Sequence, residues 1–376
     1  MRSGKTVWFW TSVEPAQFQK STFRVLESLG IHVRLGFTVA EGDFRRRRGA
    51  LGRIVLRLRM YIEHPVRMAW SVLTSAVSHQ HIVTTNPFYA PLFATLTARG
   101  SRVIHLIYDT FPEALVVAGK LPKNSWMTRA IRRVVRLTLD RADANVFIGD
   151  WLQRHADALF GPIYRARVIP VGAAAGPFAA HPPRPVTGAV DVLYSGTLGK
   201  MHDVDTLIDA ASLLGRRAQA INAALTFHAF GPGYRRFSER VRSTPGAGAW
   251  ITLASSLPDA EWVSRMRAAH VALVTMKAGA ERIVMPSKAY SALAAGQAIL
   301  AVCSRESDLA DLVASRDCGW VVLPGDAEGL VRALDEISAG GDVLQRKREN
   351  AFRAGHEEFS ETAMAALWDR LLREEN

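Results

Sequence analysis

Residues 286–288, Pro-Ser-Lys, set a hydroxyl and an ammonium at the head of an apolar run, Ala289, Tyr290, Ala292, Leu293 and Ala294, that Gly296 stops. Proline in the first turn and glycine just past the end mark a short helix. Free N–H groups at its start, with Ser287 and Lys288, make a site for phosphate. The alternative is an ordinary helix whose first turn carries a solvated lysine. A second apolar run, Val103 to Tyr108, leads into Asp109-Thr110-Phe111-Pro112-Glu113. If that run is a parallel strand, Asp109 and Glu113 stand where a catalytic or acceptor-binding acid belongs, because function collects beyond the carboxyl ends of such strands. A helix over 114–118 with a capping aspartate and a first-turn glutamate would look the same. The run His81 to Thr85 ends similarly, in Asn86-Pro87. Two further loops carry glycine after apolar runs: one from Gly196 through Thr197 to Lys200, the other from Gly231 to Gly233.

The elements that position these residues alternate. Thr6 to Trp10 reads as a strand, 17–29 as a helix closed by Gly30, and 31–37 as the next strand, a parallel βαβ unit. No Gly-x-Gly-x-x-Gly follows the first strand, so this half shows no dinucleotide fingerprint. A strand at 144–148 follows, and Val168-Ile169-Pro170-Val171-Gly172 closes this half. The stretch 173–185 (AAAGPFAAHPPRP) has the composition of a linker. Strands then resume at 190–194, 224–230, 250–253, 271–275, 298–302 and 320–323; an unbroken run such as Ala298 to Val302 fits a parallel strand covered on both faces. The expected organisation is a first domain over 1–172, a linker over 173–187, a second domain over 188–355 and a terminal helix over 356–376. Met364, Leu367, Trp368 and Leu371 form that helix's packing stripe. Two α/β halves leave a cleft between them, on which the Gly196 and Gly231 loops should open.

Bulk properties narrow the class. A chain of 376 residues, 48% hydrophobic and 22% charged, is ordinary for a two-domain globular protein. No apolar run reaches the ~18 residues that span a bilayer, and the first fifteen residues show no secretory signal. Cys303 and Cys318 are too few for a disulfide framework and are expected as buried thiols in a reducing cytoplasm. The net charge of +12 calls for an anionic partner: lipid, nucleic acid or a phosphorylated substrate. Its main source is 44–67, where Arg45, Arg46, Arg47, Arg48, Arg53, Arg57, Arg59 and Arg67 face one acid, Glu63. Leu51, Ile54, Val55, Leu58 and Ile62 fall on one helical stripe with Arg53 and Arg57 opposite, the pattern of a helix lying on an anionic membrane. Arg45, Arg46, Arg47, Arg48, Arg53 and Arg57 are its candidate membrane contacts; the alternative is a stripe packed on its own domain. Nucleic acid is disfavoured because no aromatic residues interleave with the arginines. A second basic run, 129–141, reads as a helix with a solvated face. The adjacent His202 and Asp203 make no metal site by themselves, and His228 reads as a satisfied core histidine.

LYSGTLGKMHDVDTLIDAASLL, HAFGPG, ASSLPDAEWVSRMRAAHVALV and MPSKAYSALAAGQAILAV, in this order and spacing, resemble the C-terminal domain of family 4 glycosyltransferases. YDTFPEAL, RADANVFIGDWLQRH and RVIPVG resemble parts of the first domain in bacterial members; together the likeness spans most of 80–330. It implies an α/β protein of the GT-B fold, two Rossmann-like domains facing each other across a cleft, with the terminal helix crossing back to the first. It further implies a retaining, metal-independent glycosyltransferase. Such an enzyme needs no cofactor beyond its nucleotide-diphosphate sugar co-substrate, and it acts in surface-polysaccharide or glycoconjugate synthesis on a lipid-linked acceptor at the inner membrane face. By the same resemblance Pro286, Ser287, Lys288 and the turn Gly196, Thr197, Lys200 hold the donor diphosphate, with Gly231 and Gly233 beside them. Ser256 and Leu257 lie against the base and Glu281 contacts the transferred sugar. Asp109 faces the reaction centre, and Asn86 and Glu113 belong to the acceptor side. Two positions depart from the family: Ser291 stands where its members carry a ribose-binding glutamate. Tyr108 stands where many have histidine, with His105 three residues earlier. These departures admit a non-catalytic partner subunit as a rival reading, and a nucleotide-sugar epimerase would share the architecture.

Overall fold

The computed structural model describes residues 6–15, 17–46, 49–179, 181–217 and 221–374, and the chain divides into two compact units, Met1–Val171 with Met364–Asn376, and Gly172–Ala363. The first unit carries a parallel sheet of six strands: β1 (Thr6–Trp10), β2 (His32–Gly36), β3 (Gln80–Thr84), β4 (Arg102–Ile107), β5 (Ala144–Phe147) and β6 (Ala166–Val168), in the order β2-β1-β3-β4-β5-β6. The second carries β7 (Val190–Thr197), β8 (Ala223–Phe230), β9 (Ile251–Ala254), β10 (Val271–Thr275), β11 (Ala298–Val302) and β12 (Gly319–Val322), ordered β12-β11-β10-β7-β8-β9. Helices join the strands, so both sheet faces are covered. Every residue of β3, β4, β10 and β11 is accordingly buried, the physical reason β10 and β11 read as near-continuous apolar runs. Strand order reverses between β1 and β3 in one unit and between β7 and β10 in the other. At such a reversal the flanking loops diverge and leave a crevice beyond the carboxyl ends of the strands.

Residues 172–187 belong to the second unit and lie against it. The Ala173 N–H donates to the Phe359 carbonyl (2.7 Å), Phe178 is buried with its ring 6.2 Å from that of Trp262, and the Pro183 carbonyl accepts from Gln345 (3.1 Å). Alanine and proline supply few side-chain partners of their own, so main-chain and side-chain groups of the second unit pair with this segment's backbone.

The basic segment forms one long helical run, Ala50–Leu58, a wider π-turn over Arg59–Glu63, and His64–Leu73. Its buried side is Leu56, His64, Met68 and Val72. The stripe expected from the sequence, Leu51, Ile54, Val55, Leu58 and Ile62, faces outward instead of packing on its own unit.

The last helix, Glu361–Arg373, joins the first unit from Met364 onward. Trp368, 2% exposed, fills that unit's core with Met364, Leu371 and Leu372. The helix's final carbonyls, which have no partner within the helix, are taken by the two central strands: Arg102 donates to Leu371 O at 2.8 Å and Gln80 to Leu372 O at 3.2 Å. The N-terminal half of the chain is thus completed by its last dozen residues. Trp368→Ala should cost about 3–5 kcal/mol, the usual range for emptying such a site. Urea unfolding followed by circular dichroism should show it as an earlier transition of the first unit with the second little changed.

Candidate functional site

The helix that begins at Lys288 follows β10, and the turn 196–202 follows β7, so both stand at the strand-order reversal of the second sheet. Lys288 turns its ammonium onto that turn. Nζ donates to Tyr194 Oη at 2.5 Å and to the Thr197 carbonyl at 2.7 Å, and lies 3.1 Å from His202 Nε2. Three acceptors match the three protons of an ammonium. Nζ also sits 4.2 Å from the centroid of the Tyr194 ring, a cation–π arrangement. Tyr194 is held for this by stacking on Phe227 (4.8 Å) and by donating its own hydroxyl proton to Thr197 O (2.9 Å).

Burial disfavours charge here. It lowers Lys288 to about 7, and burial together with the Lys288 charge lowers His202 to about 3, so the imidazole is neutral. The histidine tautomer then follows the lysine. An ammonium requires the Nε2 lone pair, leaving the imidazole proton on Nδ1, 3.3 Å from Gly199 O. A neutral amine accepts from Nε2–H and frees Nδ1 to accept the Gly199 N–H at 3.0 Å. Asp203 points elsewhere: it caps the Asp205–Gly215 helix through the Asp205 and Thr206 N–H groups (2.9 and 3.2 Å). The pair therefore divides its work between an ammonium and a helix end.

Glycine is required at two points. Gly196 has φ +113°, and a Cβ there would meet Lys288 Cε at 3.2 Å, in the space where the lysine stem passes. Gly231 has φ +103°, and a Cβ would press on Thr197 Cγ2 at 2.9 Å. The loops after β7 and β8 are consequently in contact, with the Leu198 N–H donating to Phe230 O (2.7 Å) and the Gly233 N–H to Leu198 O (2.9 Å). The loop after β9, with Ser256 exposed and Leu257 half-buried, is tied to the same edge. Tyr234 Oη donates to Ala254 O (2.9 Å), and His228 Nδ1 bonds Ser255 O (2.9 Å). His228 is satisfied, at a loop junction of the sheet rather than in the core.

Pro286 and Ser287 precede a helix of only two turns, Lys288–Ala294, and the Ser287 side chain makes no capping bond. The positive charge of the site is therefore the lysine's more than the helix end's. Ser291, half-buried in the second turn, presents a hydroxyl; Lys200 lies exposed in the β7 turn. Glu281, 5% exposed, sits in the turn before the helix, close enough to Cys303 that its charge adds to burial in pushing that thiol up to about 11. Of the residues expected around a diphosphate, the structure gathers Gly196, Thr197, Gly231, Gly233 and Lys288. Sequence reasoning missed Tyr194 and His202. The available signal was a tyrosine at the carboxyl end of a buried strand, whose hydroxyl needs a partner.

In the first unit the loops after β3 and β4 adjoin through Phe88 and Phe111, ring centroids 6.0 Å apart. Asn86 is exposed on one loop and Asp109 half-buried on the other, where burial raises its carboxyl to about 6. Glu113 is buried, and its Oε1 accepts from Arg132 Nε (2.9 Å) and Nη2 (2.7 Å), the behaviour of a first-turn structural acid. His105 bonds Asn145 (3.2 Å) inside the sheet, and burial lowers it to about 4. Arg46, Arg53 and Arg57 are exposed; Arg47, Arg48 and the side chain of Arg45 lie outside the described residues.

Residues 189–339 match the model of the family described as glycosyl transferases group 1. Over 279 residues the chain is 28% identical to a probable glycosyltransferase, WbjE, of Pseudomonas aeruginosa, covering 70% of this chain and 68% of that protein. Among solved structures, Anabaena Alr3699/HepE in complex with UDP superposes with a TM-score of 0.71 at 13% identity, covering 98% of this chain and 99% of its own. WaaG, a glycosyltransferase involved in lipopolysaccharide biosynthesis, gives 0.67 at 16% identity, covering 98% and 100%. The fold is that of these two-domain α/β proteins, the GT-B architecture.

Because the folded-state value of Lys288 lies below its unfolded value of 10.5, the unfolded chain binds more protons between about pH 7 and 10.5. Stability must therefore rise with pH across that window and be lost as pH falls through about 7. Urea titrations at pH 7 and 10 should show this gain in the wild type relative to Lys288→Met; parallel pH dependences in the two proteins would contradict it.

Proposed function

We propose, on the premise that the second unit is a glycosyl transferases group 1 domain, that the protein moves a sugar from a nucleotide-diphosphate sugar to an acceptor with retention of configuration. The observation that carries this reading is the Lys288 ammonium lying on the glycine turn after β7. Breaking the bond between the sugar and the diphosphate leaves negative charge on phosphate oxygens. A compact, desolvated ammonium with polar main chain beside it stabilises that charge as it grows. The arriving diphosphate would draw Lys288 away from Tyr194 and Thr197 and restore its proton affinity. Glu281 is assigned to the transferred sugar, Ser256 and Leu257 to the base, and Ser291 to the ribose, where one hydroxyl replaces a carboxylate. Asp109 is assigned to the acceptor hydroxyl, whose proton must leave as its oxygen bonds to the sugar carbon, with Asn86 beside it.

The acceptor in this reading is lipid-linked, in a surface-polysaccharide or glycoconjugate pathway, and the second partner is the anionic inner membrane face. The charge of +12 and the arginines at 46, 53 and 57 support that assignment, as does the described role of WaaG in lipopolysaccharide biosynthesis. No described helix is long and apolar enough to cross a membrane.

A panel of UDP-, GDP- and dTDP-sugars tests the reaction: transfer or slow hydrolysis of one donor is expected. An isomerised nucleotide-sugar would indicate an epimerase, and no turnover of any donor a non-catalytic subunit. Lys288→Met should weaken donor binding by about 10- to 150-fold, the value of a charge-assisted hydrogen bond. For free enzyme and donor the pH profile of kcat/KM should be a narrow bell. Its acid limb lies near 6, where Asp109 ionises, and its alkaline limb near or above 7, where Lys288 loses its proton. Asp109→Asn should abolish the first limb and Lys288→Met the second.

A further inference from the structure

The long helical run of the first unit has two apolar sides, and one of them is not covered by the described protein. Leu51 (79% exposed), Ile54, Leu58, Ile62 (57%), Val66 (63%) and Trp70 (67%) face outward along Ala50–Leu73. An α-helix advances about 100° per residue, so an unbroken one would carry Trp70 roughly 100° away from the line of Leu51. The π-turn at Arg59–Glu63 takes up about one residue and brings Val66 and Trp70 back onto it. The same correction aligns Leu56, His64, Met68 and Val72 on the buried side. Because the turn rotates the whole of the later segment, it straightens both sides at once; what the inner packing does not require is that the outer positions be large and apolar, as Leu51, Ile54, Leu58, Ile62, Val66 and Trp70 are. Tyr89 reaches across to donate to the Tyr61 carbonyl, and Phe93, itself exposed, meets Tyr89 edge-on at 6.0 Å, so the apolar surface widens onto the Ala90–Thr97 helix.

We propose that this face inserts into the acyl boundary of an anionic bilayer, Leu51 to Trp70 lying in the plane of the membrane. The inference deepens the membrane assignment made above and rests on it, replacing adsorption by charge with burial of apolar side chains. Charge complementarity selects lipid over a second protein. Residues 44–67 carry eight arginines against Glu63 as the only acid, so a second copy would set the same positive charge against them, whereas an anionic headgroup layer neutralises it. The outward aromatics, Trp70, Tyr61 and Phe93, are of the kind that settles at the headgroup level.

Because Cys303 and Cys318 are buried, Ile62→Cys in the otherwise intact chain can be labelled selectively with an environment-sensitive fluorophore. With phosphatidylglycerol–phosphatidylcholine vesicles the emission should shift to the blue and be quenched by spin labels on the acyl chains, and bound protein should partly resist 0.5 M salt. Ile62→Glu, with unchanged thermal unfolding, should weaken vesicle binding by at least about tenfold. Binding at low salt with a label that stays in water and is lost entirely at high salt would overturn insertion while leaving electrostatic adsorption standing. No vesicle binding at low salt would overturn both. A label buried before vesicles are added, with a dimer in sedimentation, would assign the face to a second copy and overturn the proposal.

Discussion

A single ammonium, taken half out of water, organises the second unit. Lys288 can be accommodated beyond the carboxyl ends of the central strands only if each of its protons finds an acceptor, and the acceptors come from one short stretch: a tyrosine hydroxyl, a carbonyl and an imidazole within Tyr194–His202. That requirement constrains its neighbours. Tyr194 must be rigid, hence its stack on Phe227; Gly196 must lack a side chain, because the lysine stem occupies that volume; and Gly231 must lack one so that the β8 loop can brace the turn from behind. The reversal of strand order between β7 and β10 makes the meeting possible, by opening a gap into which a side chain from the β10 side can reach.

The first unit depends on a different constraint, the completion of a sheet whose central strands are buried along their whole length. The terminal helix supplies the missing apolar volume through Trp368, and strands β3 and β4 answer with Gln80 and Arg102 on its last carbonyls. A polar side chain at the start of an otherwise apolar strand looks like an error of pattern. Here it is the means by which a helix end is buried without leaving its carbonyls unpaired.

Strands and their neighbours were legible because parallel strands covered on both faces have little choice of composition. β10 and β11 fall where their apolar runs lie, residue for residue, and the GT-B architecture follows from the ordered set of motifs. Lys288 and the glycine turns were legible because proline, lysine and glycine carry local instructions. Tyr194 and His202 were not, since their role is set by a residue about ninety positions away, and spacing within one element cannot report that. The outer stripe at Leu51–Ile62 was visible as a period, but a period does not say which of two apolar sides a helix buries. Leu56, Met68 and Val72 settle it, and the π-turn that keeps both sides aligned leaves no mark in composition.

Ser291 bears on the lysine as well as on the ribose contact proposed for it. A glutamate there would lie one turn beyond Lys288 on the same helix, within range to favour the ammonium and hold its proton affinity up. With serine the only cause acting on Lys288 is desolvation, and its value falls to about 7. The hydroxyl, carbonyl and imidazole that meet Lys288 Nζ are all neutral. A diphosphate, the ligand proposed for this turn, would bring the counter-charge that none of them carries. In the reading proposed above, serine at this position would leave the ribose with a weaker anchor and the phosphates with a stronger claim on the lysine, so recognition of a nucleotide-diphosphate donor would shift toward its charged middle.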